Sequence, residues 1–403
     1  MPSPRKISAI GMLSCKVARR RVRHSVVLSL VVFVIAGCQS APRGQASFQR
    51  IELAGRVPAS GQLLLADLGG DSAVDILLMS RQPGRLSWFE NPGWELHQIP
   101  LVADVLHGVA AYSPPGRAGQ ESATPASLAL NGRFSQPGSG TRQQLLWLQH
   151  PGRESVDAPW AASLIRSDVQ AGALLWADMT GTGRQILVTL PGLEAYTLPL
   201  RFSRPWGMMP LAQDPLPPIR VRVYDWDLDG REDLLVVGSN GLDIMALASR
   251  GVFVDEFALM LGERGTSGFL DIGVGQSGRA ARRFVAALSA DGQQLMVFRP
   301  NEDERLPWIQ EIIADSLVSA RVLKVADLNR DAMDEIVLGD AAGVTVFYYS
   351  PDQLRWHRYS VDASVAIADI QIQDLNGNGL PDIVTAPAVP GPVTLYQNRG
   401  RGN

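Results

Sequence analysis

Four short stretches share a loop with oxygen-bearing side chains at its first, third, fifth and ninth positions, complete in three copies and lacking the third position in one, the spacing that wraps a hard cation in oxygen ligands. They read Asp225-Trp-Asp227-Leu-Asp229-Gly230-Arg-Glu-Asp233, Asp374-Leu-Asn376-Gly-Asn378-Gly379-Leu-Pro-Asp382, Asp327-Leu-Asn329-Arg-Asp331-Ala-Met-Asp-Glu335 and Asp67-Leu-Gly69-Gly-Asp71-Ser-Ala-Val-Asp75. Calcium is the expected ion, and the carbonyls of Arg231, Met333 and Leu380 are further ligands by analogy with other calcium loops. The copies are not equal. Asn376 and Asn378 keep the oxygens of the last loop and lower its charge, Ala332 stands where glycine would allow a positive φ, and Gly69 offers no oxygen. For the loop at Asp67, Asp71 and Asp75 a purely hydrogen-bonded turn stands beside metal binding as a reading. Such saturated loops suit a structural role, since hydrolytic metal chemistry wants an open coordination position.

The elements that must hold these loops form a repeat. With degenerate copies at Asp178-Met-Thr180-Gly-Thr182-Gly183 and Asp271-Ile-Gly273-Val-Gly275, the loops recur about every 47 residues, with one interval of about 56, a period of solenoids and propellers. Each repeat carries several short apolar runs, such as Leu63-Leu64-Leu65, Ile76-Leu77-Leu78-Met79 and Leu86-Ser-Trp88-Phe89, which predict four strands. First strands fall near residues 62, 107, 173, 220, 268, 321 and 368, so the fold class expected is all-β, a seven-bladed β-propeller of four-stranded antiparallel blades over 47–403. The second repeat lacks the acidic loop and has a Pro/Gly/Ser-rich insertion at 113–125, yet its Leu145-Leu-Trp147-Leu-Gln-His-Pro151-Gly152 echoes Leu86-Ser-Trp88-Phe-Glu-Asn-Pro92-Gly93. The last repeat is one strand short, and Phe48-Gln-Arg-Ile51-Glu-Leu53 is expected to complete it.

These residues resemble the FG-GAP or VCBS repeat family, whose repeats also build the propeller of integrin alpha subunits. The resemblance covers nearly the whole chain after about residue 47. It implies that the cation loops join the innermost strand of a blade to the next strand on one face, and that partners dock on the opposite face. Irregular connections around 131–143, 239–241, 291–293 and 387–392 would present that surface.

The first 37 residues read as a leader. Arg19, Arg20, Arg21 and Arg23 precede the apolar run Val26–Ile35 and the small residues Ala36-Gly37, which describes a secretion signal too short to span a membrane comfortably. Ile-Ala-Gly-Cys38 is similar to a bacterial lipobox, which implies cleavage before Cys38, acylation there, a lipidated linker over 38–46 and, with Gln39 and Ser40 following, an outer-membrane lipoprotein facing the periplasm or the surface. A buried cysteine in an uncleaved anchor helix is the alternative. Seven of the 37 basic residues lie in the leader, leaving 30 against 40 acidic ones, a formal balance of −10 without the basic stripe that nucleic acid requires. Only Lys324 remains as a lysine.

No catalytic constellation emerges. His97, His107, His150 and His357 are scattered with none at metal-ligand spacing, and no serine elbow is followed by an acid and a base. His97 and His357 fall in outer strands as surface or packing residues, whereas His107 begins an inner strand and could face a channel. The function expected is a non-catalytic, calcium-stabilised binding or scaffold module whose partner is an envelope protein or a polysaccharide. Two alternatives stand: an envelope enzyme, either a polysaccharide lyase or a quinone-dependent dehydrogenase, for which only His107, Arg220 and Arg321 lie near inner-strand starts, and an outer-membrane assembly factor.

Overall fold

The apolar runs become 28 strands grouped in seven four-stranded antiparallel sheets. This computed structural model describes residues 42–402, apart from 43, 54–56, 114–123, 137–139, 153–157, 184, 200–203, 212–219, 227, 239–240, 249–250, 256–267, 279–281, 304–305 and 307. The leader, Cys38 and Asp227 therefore lie outside the described residues. Strand β1 (Ala46–Glu52) comes first. Sheet one holds β2 (Ser60–Ala66), β3 (Asp75–Ser80), β4 (Gly84–Glu90) and β5 (Glu95–Ala103); sheet two holds β6 (Val105–Tyr112), β7 (Ser127–Gln136), β8 (Gly140–Gln149) and β9 (Ala161–Ser167). Sheet three holds β10 (Leu174–Ala177), β11 (Ile186–Thr189), β12 (Glu194–Thr197) and β13 (Gly207–Pro210); sheet four holds β14 (Arg220–Tyr224), β15 (Asp233–Gly238), β16 (Gly241–Ala248) and β17 (Gly251–Asp255). Sheet five holds β18 (Phe269–Ser277), β19 (Arg282–Ser289), β20 (Leu295–Arg299) and β21 (Ile309–Ala314); sheet six holds β22 (Val322–Ala326), β23 (Glu335–Gly339), β24 (Val344–Ser350) and β25 (Arg355–Asp362). Sheet seven holds β26 (Ile367–Gln373), β27 (Asp382–Pro387) and β28 (Thr394–Arg401), and its fourth strand is β1, paired antiparallel with β28 from Glu52 opposite Thr394 to Ala46 opposite Arg401.

Each sheet is a simple meander whose second strand is buried on both faces, as in Asp75–Ser80 and Asp382–Pro387, which is why those strands read as unbroken apolar runs. The hydrophobic core is divided accordingly. Seven apolar clusters each join two consecutive sheets, and the one built on Leu63, Ile76, Phe89, Val384 and Leu395 joins sheet seven to sheet one. That cyclic order is a seven-bladed β-propeller. First strands face inward and reach across to one another through side chains. The Gln62 amide exchanges two hydrogen bonds with the Val109 backbone, Leu63 N–H donates to Asp369, and Leu323 N–H donates to Asp271.

Two expectations need correction. Asp271-Ile-Gly273-Val-Gly275 is no loop but the middle of the inner strand β18, where Asp271 is fully buried. Its glycines serve close packing: a Cβ on Gly273 would meet Val325 Cγ2 at 2.6 Å, and one on Gly275 would meet Phe284 Cζ at 2.4 Å. Most of 131–143 is likewise not irregular, because β7 and β8 extend into it as a long hairpin. Residues 291–293 and 387–392 are true connections between second and third strands, while 239–240 lie outside the described residues.

Candidate functional site

Five of the seven connections from first to second strands, all on the same face, open with an aspartate loop: β2 to β3, β10 to β11, β14 to β15, β22 to β23 and β26 to β27. Aspartate at position one opens each. Its carboxylate accepts the N–H of position six in all five, from Ser72, Gly183, Gly230, Ala332 and Gly379, at 2.5–3.0 Å. Asp71, Asp229, Asp331 and Asn378 at position five accept the N–H of position seven at 2.7–2.9 Å. Position nine begins the second strand. There Asp75, Asp233, Glu335 and Asp382 are buried and accept the N–H of position two, from Leu68, Trp226, Leu328 and Leu375, at 2.7–3.0 Å.

The sequence expectation of a positive φ at position six holds throughout, from 67° at Ala332 to 83° at Gly230. Position four, which sequence reasoning overlooked, is left-handed as well: Gly70, Gly181, Leu228, Arg330 and Gly377 have φ of 57–73°. Ala332 carries strain that its exposed side chain does nothing to recover. Replacing Ala332 by Gly is therefore expected to stabilise the protein by roughly 0.5–1 kcal/mol, the left-handed penalty less the entropy of a freer unfolded chain, as a higher urea midpoint at unchanged slope.

The loops concentrate negative charge. Burial, with repulsion from Asp331, Asp327 and Asp334, pushes the Glu335 carboxyl up to about 9 against the pull of the Leu328 N–H. Burial likewise raises Asp75 to about 6, although three backbone N–H groups oppose it, and raises Asp382. Among the described residues of these loops, two oxygens have no hydrogen-bond partner although buried: Asp225 Oδ1 at position one and Asn329 Oδ1 at position three. A carboxylate or amide oxygen that accepts one N–H keeps a second lone pair, so this donor set fits a hard cation. The Arg231 guanidinium lies on Asp229, partly neutralising one of the candidate ligands. In the first loop Asp67 accepts from Gly70, Asp71 and Ser72, and both Asp75 oxygens accept from Leu68, Gly69 and Asn91, bonds of the same kind as those in the other loops. The degenerate third loop keeps the same shape through Asp178, Thr180 and Gly183, with an apolar Ile186 at position nine.

Behind the loops stands a pair of latches that the sequence displayed without revealing their role. Asn398 N–H donates to Asp382 Oδ1, while its Nδ2 donates to Leu328 O, in the loop of the preceding blade, at 2.8 Å. Asn91 repeats this, with its N–H on Asp75 and its Nδ2 on Leu375 O at 2.7 Å. The Pro-Gly echo read from the sequence pairs Asn91 with His150, not with Asn398, which is followed by Arg399-Gly400, so it did not point to this pair.

The histidines separate as expected, with one addition. His357 stacks on Tyr348, and His97 stacks on Trp88 with centroids 4.5 Å apart. His97 also pairs with Glu90 at 3.0 Å and groups with Glu95, the three offering ligand atoms within 4.8 Å of one another. His107 and Arg220 both line the central channel, whereas Arg321 is exposed ahead of β22.

No protein-family model and no curated protein matches the chain. Solved structures do. BBS1N in complex with ARL6DN, in crystals soaked with mercury and with lead, aligns with a TM-score of 0.52 at 9% identity, covering 87% of this chain and 98% of that chain. A lectin of Agrocybe aegerita, described as recognising non-reducing terminal N-acetylglucosamine, aligns with a TM-score of 0.49 at 14% identity over 82% of this chain and 87% of that chain. At such identities the likeness speaks to fold alone.

Proposed function

We propose that this chain is a non-catalytic, calcium-stabilised binding or scaffold propeller of the FG-GAP or VCBS kind, held at the bacterial cell envelope as a lipoprotein through Cys38. The observation that carries it is the common build of the acidic loops: the same two left-handed residues and the same position-one carboxylate recur on one face, with an orphaned oxygen at Asp225. Asp225, Asp229, Asp233 and the Arg231 carbonyl would hold one ion, with Asp227 completing the set. Asp327, Asn329, Asp331, Glu335 and the Met333 carbonyl would hold another. Asp374, Asn376, Asn378, Asp382 and the Leu380 carbonyl would hold a third. The ion supplies charge compensation for crowded carboxylates and leaves the opposite face to a partner, an envelope protein or polysaccharide. That BBS1N was crystallised with ARL6DN supports protein docking by this kind of fold.

Calcium titration by calorimetry, with melting curves in calcium and in chelator, tests this. Calcium is expected to raise the melting temperature. Asp225→Asn keeps an acceptor for Gly230 N–H but removes the charge, so affinity at that loop should fall about tenfold or more, equal to about 1.4 kcal/mol. Equal melting in calcium and chelator, for parent and variant alike, would remove the calcium reading.

A further inference from the structure

The wall of the central channel differs in charge from the rest of this acidic protein. A cavity of about 600 Å³ is lined from six of the seven first strands, and Arg81, Arg220, Arg222 and Lys324 face it against a single lining carboxylate, Asp369. An adjoining cavity of about 480 Å³ shares Arg222 and Lys324 and adds the wall of β18 and one further carboxylate, Asp334. Asp271, buried behind the wall, holds Arg222 through both carboxylate oxygens at 2.6 Å. Counting it, the cavity keeps two positive charges in excess, in a chain whose formal net charge is −3.

The donors there are also under-used. His107 Nε2 and Arg220 Nε are buried without a hydrogen-bond partner, although Arg220 lies 3.5 Å from Asp271. Leaving such groups unmatched is unfavourable, and gathering like charges adds to that. Asp369 offers little relief, because its two oxygens already accept the N–H groups of Leu63 and Ile370. Lys324 is the only lysine beyond residue 16. In a chain that otherwise uses arginine for positive charge, a compact ammonium stands where side chains converge from several blades.

We propose that the channel binds a small organic anion, a molecule carrying a carboxylate, phosphate or sulfate group, through Lys324, Arg81, Arg220 and His107. An acceptor placed among these donors would satisfy the unmatched nitrogens and offset the surplus charge, and the volume lies within the range of small-molecule sites. This site is separate from the acidic loops and from the docking role, and stands or falls without them.

Titration calorimetry on the purified full chain tests it with a matched set of probes: glucuronate, glucose 6-phosphate, glucose 6-sulfate and, as the uncharged control, glucose. At least one anion is expected to bind with a Kd of ~1 mM or tighter while glucose does not, weakening as salt rises. The preferred member of the set identifies the head group. Lys324→Met should weaken that binding tenfold or more. Arg81→Gln, at an exposed position with little part in folding, should weaken it severalfold and serves if the lysine variant fails to fold. Absence of binding by all three anions, binding of glucose as tight as theirs, or unchanged affinity in the variants would overturn the proposal.

Discussion

Removing residues 46–52 is expected to abolish the single sharp unfolding transition and leave a broad, early melt. Strand β1 is the whole fourth strand of the seventh sheet, and it lies about 350 residues from its partner β28 in sequence. Its side chains also tie in the sixth blade: Arg50 Nε donates to Asp362 at 2.8 Å, the same carboxylate accepts the buried Tyr396 hydroxyl at 2.7 Å, and the Tyr359 hydroxyl donates to Ala46 O. Without β1, β28 becomes a bare edge, Asp362 loses its cation, and Phe48 and Ile51 no longer cover the clusters on either side of the blade. Strand pairing, apolar burial and a broken buried ion pair each contribute a few kcal/mol, so a total loss of roughly 5 kcal/mol or more is expected. Circular dichroism melting checks it. A truncated chain that melts like the parent would mean that the ring does not depend on its N-terminal strand.

Asn398→Ala carries the second-largest effect. Its Nδ2 donates to Leu328 O and Pro381 O, and its Oδ1 accepts Gly400 N–H, all behind the acidic loop of the seventh blade. Alanine would leave the Leu328 and Pro381 carbonyls without this donor, which costs about 2–4 kcal/mol. The neighbouring exposed Arg399→Ala should stay within about 0.5 kcal/mol. Urea denaturation of the pair decides: equal midpoints would show that the latch contributes nothing across the blade boundary. Because Asn398 joins two acidic loops, its loss should also soften the response to calcium.

The repeat was legible because it is written several times over, and an error in one copy is corrected by the next. The period, the buried second strands and the left-handed sixth position could all be read from residue types. Position four was overlooked although Gly70, Gly181 and Gly377 occupy it in three copies, because Leu228 and Arg330 in the other two mask the pattern. Asp271 misled for the opposite reason: its flanking glycines look like turn residues but exist to let β18 and β22 approach. The latch asparagines Asn91 and Asn398 share no motif in the sequence, and their partners lie one blade away and are set only by three-dimensional register. The channel's charge was least legible of all. Arg81, Arg222 and Lys324 come from different sheets, and nothing short of a ring places them together.

The solitary position of Lys324 has a practical consequence. Amine-directed crosslinkers, the common reagents for trapping neighbours, have one side-chain target in the whole ring, and it points inward. A partner resting on either outer face would escape them. Carboxylate-activating or photoreactive reagents, which can attack the many aspartates and glutamates outside, are the ones suited to recording what this protein touches.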